Sequence, residues 1–198
     1  MRIGVLALQG AFREHKQILS TLGVQVVEVR LPEHLEGLDG LIIPGGESTT
    51  IGKLATQYQL VEPLRQFAQE KPVWGTCAGM IFLARDIGTN RQPILGLMDI
   101  KVARNAFGRQ LDSFETDLAI AGLEGGPFHA IFIRAPLVEQ IGADVQILAA
   151  LQDGRVVAVR QGHWMATAFH PELTGDSRLH QLFIRMVQSA GHSVPVGS

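Results

Sequence analysis

The first half of this chain alternates short apolar runs with longer amphipathic ones, and that alternation leaves few folds open. "IGVLAL" (3–8) reads as a buried strand, and "FREHKQILSTLG" (12–23) as a helix with Phe12, Leu19 and Leu22 on one side and Gly23 as its stop. "VQVVEV" is a second strand, "GLIIP" a third, "IGKLATQYQLVEPLRQFAQE" a helical stretch, "PVWG" a fourth strand and "AGMIFLARDI" a helix. Strand and helix in alternation require crossover connections, so they predict an α/β fold of three layers: a mostly parallel central sheet flanked by helices.

The second half changes character. "LGLMDIKVARNAFG", "HAIFIRAP" and "VQILAALQDGRVVAVRQGHWMATAFHPE" are strand-rich, and Asp153-Gly154 between two apolar runs is a hairpin signal. An added antiparallel strand layer is expected there. "DSRLHQLFIRMVQSA" is a final helix with Asp176 as its cap, and "GHSVPVGS" a frayed tail. With no repeat and no linker, one domain over 1–188 is expected, followed by a flexible segment over 189–198.

Composition excludes several function classes. A formal net charge of -2 gives no basic field for nucleic acid or an anionic membrane. No apolar run approaches the roughly 20 residues of a membrane helix. The start "MRIGVLALQGAF" enters a strand pattern without the layout of a signal peptide, so a cytoplasmic location is expected. The chain has 1 cysteine, which rules out an internal disulfide and a thiolate metal cluster, and no His-Glu-x-x-His occurs; no metal and no cofactor are expected.

That cysteine, Cys77, stands between "PVW" and "AGMIFLA". A tight strand-to-helix turn there would present the thiol at the carboxyl edge of the sheet, where open α/β sheets bind ligands. Gly75 and Gly79 fit such a crowded turn, and the helix N-terminus favours thiolate over thiol. The plain alternative is a small buried hydrophobe. A thiol nucleophile needs a base and an orienting acid, and "AFHPE" supplies both. Pro171 biases His170 toward an extended conformation, in which Glu172, two residues on, projects to the same side. The other histidines have weaker claims: His15 and His34 lie in charged surroundings, His129 and His163 begin apolar strands, His180 is on the last helix and His192 in the tail.

"LIIPGGESTT" follows the third strand. Gly45 and Gly46 would let main-chain N–H groups face an oxyanion. The alternatives are a phosphate loop and a plain turn capped by Ser48 or Thr49. The first fails on spacing, because Gly46 and Gly52 enclose one residue too many and Leu54 replaces the magnesium-binding hydroxyl.

In this order, "LALQGAFREH", "LIIPGGESTTIGKL", "WGTCAGM", "RNAFGRQLDSFE", "FIRAP" and "AFHPEL" resemble the flavodoxin-like class I glutamine amidotransferases. Within them the blocks resemble the glutaminase subunits of pyridoxal 5'-phosphate synthase. Ile81 replaces the glutamine that the anthranilate and guanylate branches carry after the elbow. The resemblance implies a triad of Cys77, His170 and Glu172, the same residues reached from spacing. It also implies glutamine contacts from Gly46, Glu47, Ser48, Arg104, Ile133 and Arg134, and a supporting place for Gln9 beside the oxyanion loop and the partner interface. Gly46 and Ala78 are expected to supply the oxyanion-hole N–H groups. The implied activity is hydrolysis of L-glutamine through a thioester, with ammonia passing to a synthase subunit, PdxS, in an assembly of twelve and twelve. Such glutaminases are often poorly active alone. The competing readings are another cysteine-elbow hydrolase and a catalytically inactive binding module on the same fold.

Overall fold

The computed structural model describes residues 1–104 and 113–191. In chain order its elements are β1 (Arg2–Leu6), α1 (Phe12–Thr21), β2 (Gln25–Val29), a 3-10 turn (Pro32–Leu35), β3 (Gly40–Ile43), α2 (Ser48–Gln57), α3 (Val61–Glu70), β4 (Val73–Thr76), α4 (Ala78–Leu83) and β5 (Ala84–Asp86). There follow β6 (Met98–Ala103), β7 (Ser113–Leu118), β8 (Phe128–Ile133), β9 (Leu137–Ile141), β10 (Gln146–Ala150), β11 (Val156–Gln161), β12 (Trp164–Thr167), a 3-10 turn (Pro171–Leu173) and α5 (Arg178–Gly191).

The main sheet runs β2-β1-β3-β4-β12-β11-β9-β6-β5, with β10 added on β11. Its first five strands are parallel, in the doubly wound order expected for a flavodoxin-like core. From β12 onward the pairing turns antiparallel as far as β6, and the β10–β11 hairpin closes over Asp153-Gly154. β7 and β8 form a separate antiparallel sheet.

Side-chain alternation in β4 assigns the helices to faces. Trp74 packs against His15 of α1 and against His180 and Phe183 of α5, whereas Gly75, on the opposite face, lies against Gly79 and Leu83 of α4. The core lies between these layers, with Ile3, Val5, Ile42, Trp74, Val159 and Phe183 fully buried.

Three local readings are corrected. The stretch 51–70 is two helices, because α2 ends in a Schellman motif: Gln59, at φ 55, donates to Thr56 O, and Leu60 donates to Ala55 O. The helix after Cys77 stops at Leu83; Ala84 is extended and its strand pairs with β6. Asp176 accepts from Arg178 N at 3.0 Å at the start of the last helix, which continues to Gly191, into the expected tail. The rest of that tail, with His192, lies outside the described residues, as does 105–112 of the "RNAFGRQLDSFE" block.

Candidate active site

Three adjacent parallel strands, β3, β4 and β12, end at the same edge of the sheet, and each delivers one part of the site. Gly45 and Gly46 follow β3, Cys77 follows β4 and His170 follows β12. In-register pairing of Thr76 with Thr167 brings the last two parts together, and Cys77 N donates to Thr167 O at 2.8 Å.

Cys77 stands at φ 50, ψ −105, outside the regions open to ordinary residues. Strain of this kind costs about 1–3 kcal/mol and persists only where the surroundings impose it. Here they do. A Cβ on Gly79 would overlap the Ile43 carbonyl oxygen, and one on Gly75 would overlap the Gly79 carbonyl oxygen, so only glycines let α4 start this close to the sheet. The turn thus has the form expected of a nucleophile elbow, and Cys77 is buried within it at 7% exposure. Its sulfur lies 3.9 Å from the main-chain oxygen of Ile133.

His170 and Glu172 are both buried, and Nδ1 of the ring lies 2.6 Å from Glu172 Oε1. The local conformation differs from the extended one expected: Pro171 opens a 3-10 turn, and that turn swings the carboxylate back onto the ring. Burial works against a charged imidazole, but the interactions with Cys77 and Glu172 outweigh it and push the His170 pKa up to about 10. His170 is therefore an imidazolium at neutral pH. Gly45 closes the other side; a Cβ there would sit 2.6 Å from His170 Cε1 and 3.3 Å from Cys77 Cβ.

A second cluster flanks the triad. Glu47 is the N-cap of α2, in place of the Ser48 or Thr49 of the plain-turn alternative. Oε1 accepts from Thr49 N at 3.1 Å, and Oε2 accepts from Thr50 N at 2.7 Å and Thr50 Oγ1 at 2.6 Å. The Thr50 hydroxyl leads in holding this carboxyl at about 2, helped by the two main-chain donors and opposed by slight burial. Arg104 Nη2 is 4.0 Å from Glu47 Oε1, while Nη1 donates to Gln92 Oε1 at 2.6 Å. The same Gln92 oxygen accepts from Thr49 Oγ1 at 3.1 Å. A cation and an anion thus stand together, as a zwitterionic amino acid requires. Ser48 is buried at the first position of α2. Gln9 Oε1 accepts from Glu47 N at 2.7 Å and so fixes the peptide that follows Gly46. Ala78 is buried directly after Cys77, and Gly46 is exposed. Arg134 is exposed and enters the geometry through its backbone, at φ 45 directly after Ile133.

Three buried residues of the site were missed. Gln92 carries no motif that would have marked it. His15 and His180 did leave a signal: His15 stands three residues after Phe12 and four before Leu19, on the apolar side of its own helix, and His180 three before Phe183. Both are fully buried beneath Glu172.

A cysteine on a strained elbow beside a histidine hydrogen-bonded to a buried carboxylate is the arrangement that cysteine-dependent hydrolase or acyl-transfer chemistry needs. Residues 5–189 match the SNO glutamine amidotransferase family, and the chain belongs to that family. It is 61% identical over 188 residues to pyridoxal 5'-phosphate synthase subunit PdxT of Herpetosiphon aurantiacus, covering 93% of this chain and 99% of the relative. PdxT of Moorella thermoacetica is likewise 61% identical over 188 residues, covering 94% and 100%. A crystal structure of a glutamine amidotransferase superposes with a TM-score of 0.89 at 53% identity, covering 94% of this chain and 98% of that one.

Proposed function

We infer that this chain hydrolyses L-glutamine to L-glutamate and ammonia, and that it supplies the ammonia to a synthase subunit for pyridoxal 5'-phosphate synthesis. The observation that carries the reading is geometric: Cys77 stands on a strained elbow at φ 50, with His170 across Gly45 from it and His170 Nδ1 2.6 Å from Glu172 Oε1. The Cys77 thiolate attacks the side-chain amide carbon, and the oxyanion is taken up by the N–H groups of Gly46 and Ala78. As the tetrahedral intermediate collapses, the C–N bond breaks and His170 gives its proton to the departing ammonia. The neutral ring then takes a proton from water, hydroxide adds to the thioester, and glutamate leaves as the C–S bond breaks. Positioned proton transfer of this kind is worth about 10²–10⁴ in rate.

Arg104 holds the substrate α-carboxylate and Glu47 its α-ammonium, with Gly46, Ser48 and the 133–134 main chain shaping the pocket between. The partner is the PdxS synthase subunit, in an assembly of twelve and twelve in the cytoplasm. Gln9, which accepts from Glu47 N at 2.7 Å, supports the oxyanion loop on the side of the expected partner interface. Among the described residues no helix is long and apolar enough to cross a membrane. An inactive binding module is not favoured, since it would gain nothing from holding Cys77 at φ 50.

The test is glutamate release from L-glutamine by the purified chain, alone and with its synthase subunit, beside Cys77→Ala. Release that rises with the partner and vanishes in the variant is the expected result. No release with the partner bound would refute the reading.

A further inference from the structure

Two imidazoles lie in the core behind the triad, where phenylalanine or leucine would fill the space without desolvating a polar group. His15 and His180 are each 0% exposed and pack edge-on against Trp74, at centroid distances of 5.8 and 5.0 Å. His15 Nδ1 is 2.9 Å from His180 Nε2. Its other nitrogen, Nε2, is 3.3 Å from Thr76 Oγ1 and 3.5 Å from Glu172 Oε2. That oxygen is buried and makes no hydrogen bond among the described residues, His15 Nε2 at 3.5 Å being a polar atom near it, whereas Oε1 is taken by His170.

We propose that His15 is a positioning residue for the triad: it presents Nε2–H to the second oxygen of Glu172 and so fixes the carboxylate that orients His170. The inference rests on the glutaminase reading above.

The direction of the hydrogen bonds follows from the network. Burial lowers the pKa of both rings, with the neighbouring charges of His180 and His170 adding to the effect on His15, so each ring is neutral and carries one N–H. Among the described residues His180 Nδ1 is buried without a hydrogen-bond partner. A lone pair is less costly to leave there than an N–H, which places the His180 proton on Nε2, donating to His15 Nδ1. His15 must then carry its own proton on Nε2, toward Thr76 and Glu172. The chain of donors runs from α5 through α1 to the acid of the triad. The last contact is long, as such contacts often are before substrate binds.

Histidine gives way to two amides that separate its nitrogens. Asn, standing in for Nδ1, keeps the bond to His180 but falls short of Glu172; Gln, standing in for Nε2, reaches it. We would measure kcat and KM for His15→Asn and His15→Gln in the complex with the synthase subunit, in the wild-type and Glu172→Gln backgrounds, with thermal unfolding of each variant. Where Glu172→Gln turns over too slowly, alkylation of Cys77 by a diazoketone analogue of glutamine gives the same comparison. Losing one hydrogen bond to a charged group corresponds to a fall in kcat of about tenfold to a hundredfold. We expect that fall in His15→Asn with KM unchanged, a recovery in His15→Gln, and no further loss when His15→Asn is added to Glu172→Gln. Wild-type kcat in His15→Asn, an equal loss in both backgrounds, or no difference between the two amides would overturn the proposal. Absence of glutamate release by the unmutated complex would instead overturn the glutaminase reading, and this inference with it.

Discussion

The strain at Cys77 has a measurable thermodynamic signature. Consider Cys77→Ala and Cys77→Gly, which both remove the sulfur and differ only in a Cβ. At an ordinary buried position glycine would be the less stable of the two, by about 0.5–1 kcal/mol for the extra freedom of the unfolded chain and about 0.8 kcal/mol for a lost buried carbon. The deficit sums to about 1.5 kcal/mol, or about 3–6 °C in a domain of this size. At φ 50, ψ −105, however, alanine keeps a strain of about 1–3 kcal/mol that glycine does not feel. The two effects oppose each other, so Cys77→Gly is expected to lie between about 0.5 kcal/mol below and about 1.5 kcal/mol above Cys77→Ala, short of the ordinary deficit. Urea and thermal unfolding of the two variants at one pH would decide it. A Cys77→Gly midpoint lower by the full ordinary deficit would show that the elbow is not strained.

Other outcomes follow from the same geometry. Gly79→Ala places a methyl group on the Ile43 carbonyl and should cost about 1–3 kcal/mol or more with loss of glutaminase activity, read by unfolding and glutamate release. Glu172→Gln removes the charge that orients His170 and should lower kcat by about a thousandfold to ten-thousandfold, as loss of the acid does in comparable triads. In the free enzyme, with Cys77 unacylated, His170 holds its proton until pH rises through about 10, so kcat/KM should fall above that value and not near 6.5, which a pH profile of kcat/KM would show. His180 behaves oppositely. Burial lowers its pKa to about 4, so the unfolded chain binds the proton first and stability is lost as pH falls from 6.5 toward 4. The His180 share of the loss amounts to about 3 kcal/mol and should be missing from His180→Phe, which keeps the share that the buried His15 adds.

The parallel core and the grouping of Cys77, His170 and Glu172 were legible because their signals are local. Buried strands are short apolar runs between helical repeats, the elbow needs its two glycines, and the histidine and its acid lie two residues apart. What escaped was set by tertiary contact. The break at Gln59 has neither glycine nor proline to announce it, since a residue with a Cβ takes the left-handed position there. Ala84–Asp86 has the composition of a helix and becomes a strand because β6 is there to pair with it. β7, with Glu115 and Asp117 on its exposed face, carries enough charge to pass as a loop. His15 and His180 were read from the charges and helices around them, while the 3.6-residue period of those helices placed them inside.

Cys77 and His170, the proposed nucleophile and base, follow strands about ninety residues apart in the chain that are held in step by the parallel register of β4 and β12. Each residue of slip between those strands would carry His170 about 3.3 Å along the sheet, roughly the span of a hydrogen bond. The sheet is therefore the ruler that sets the reacting distance. Substitutions deep in β4 or β12, far from any substrate atom, will register as changes in rate before they register as unfolding.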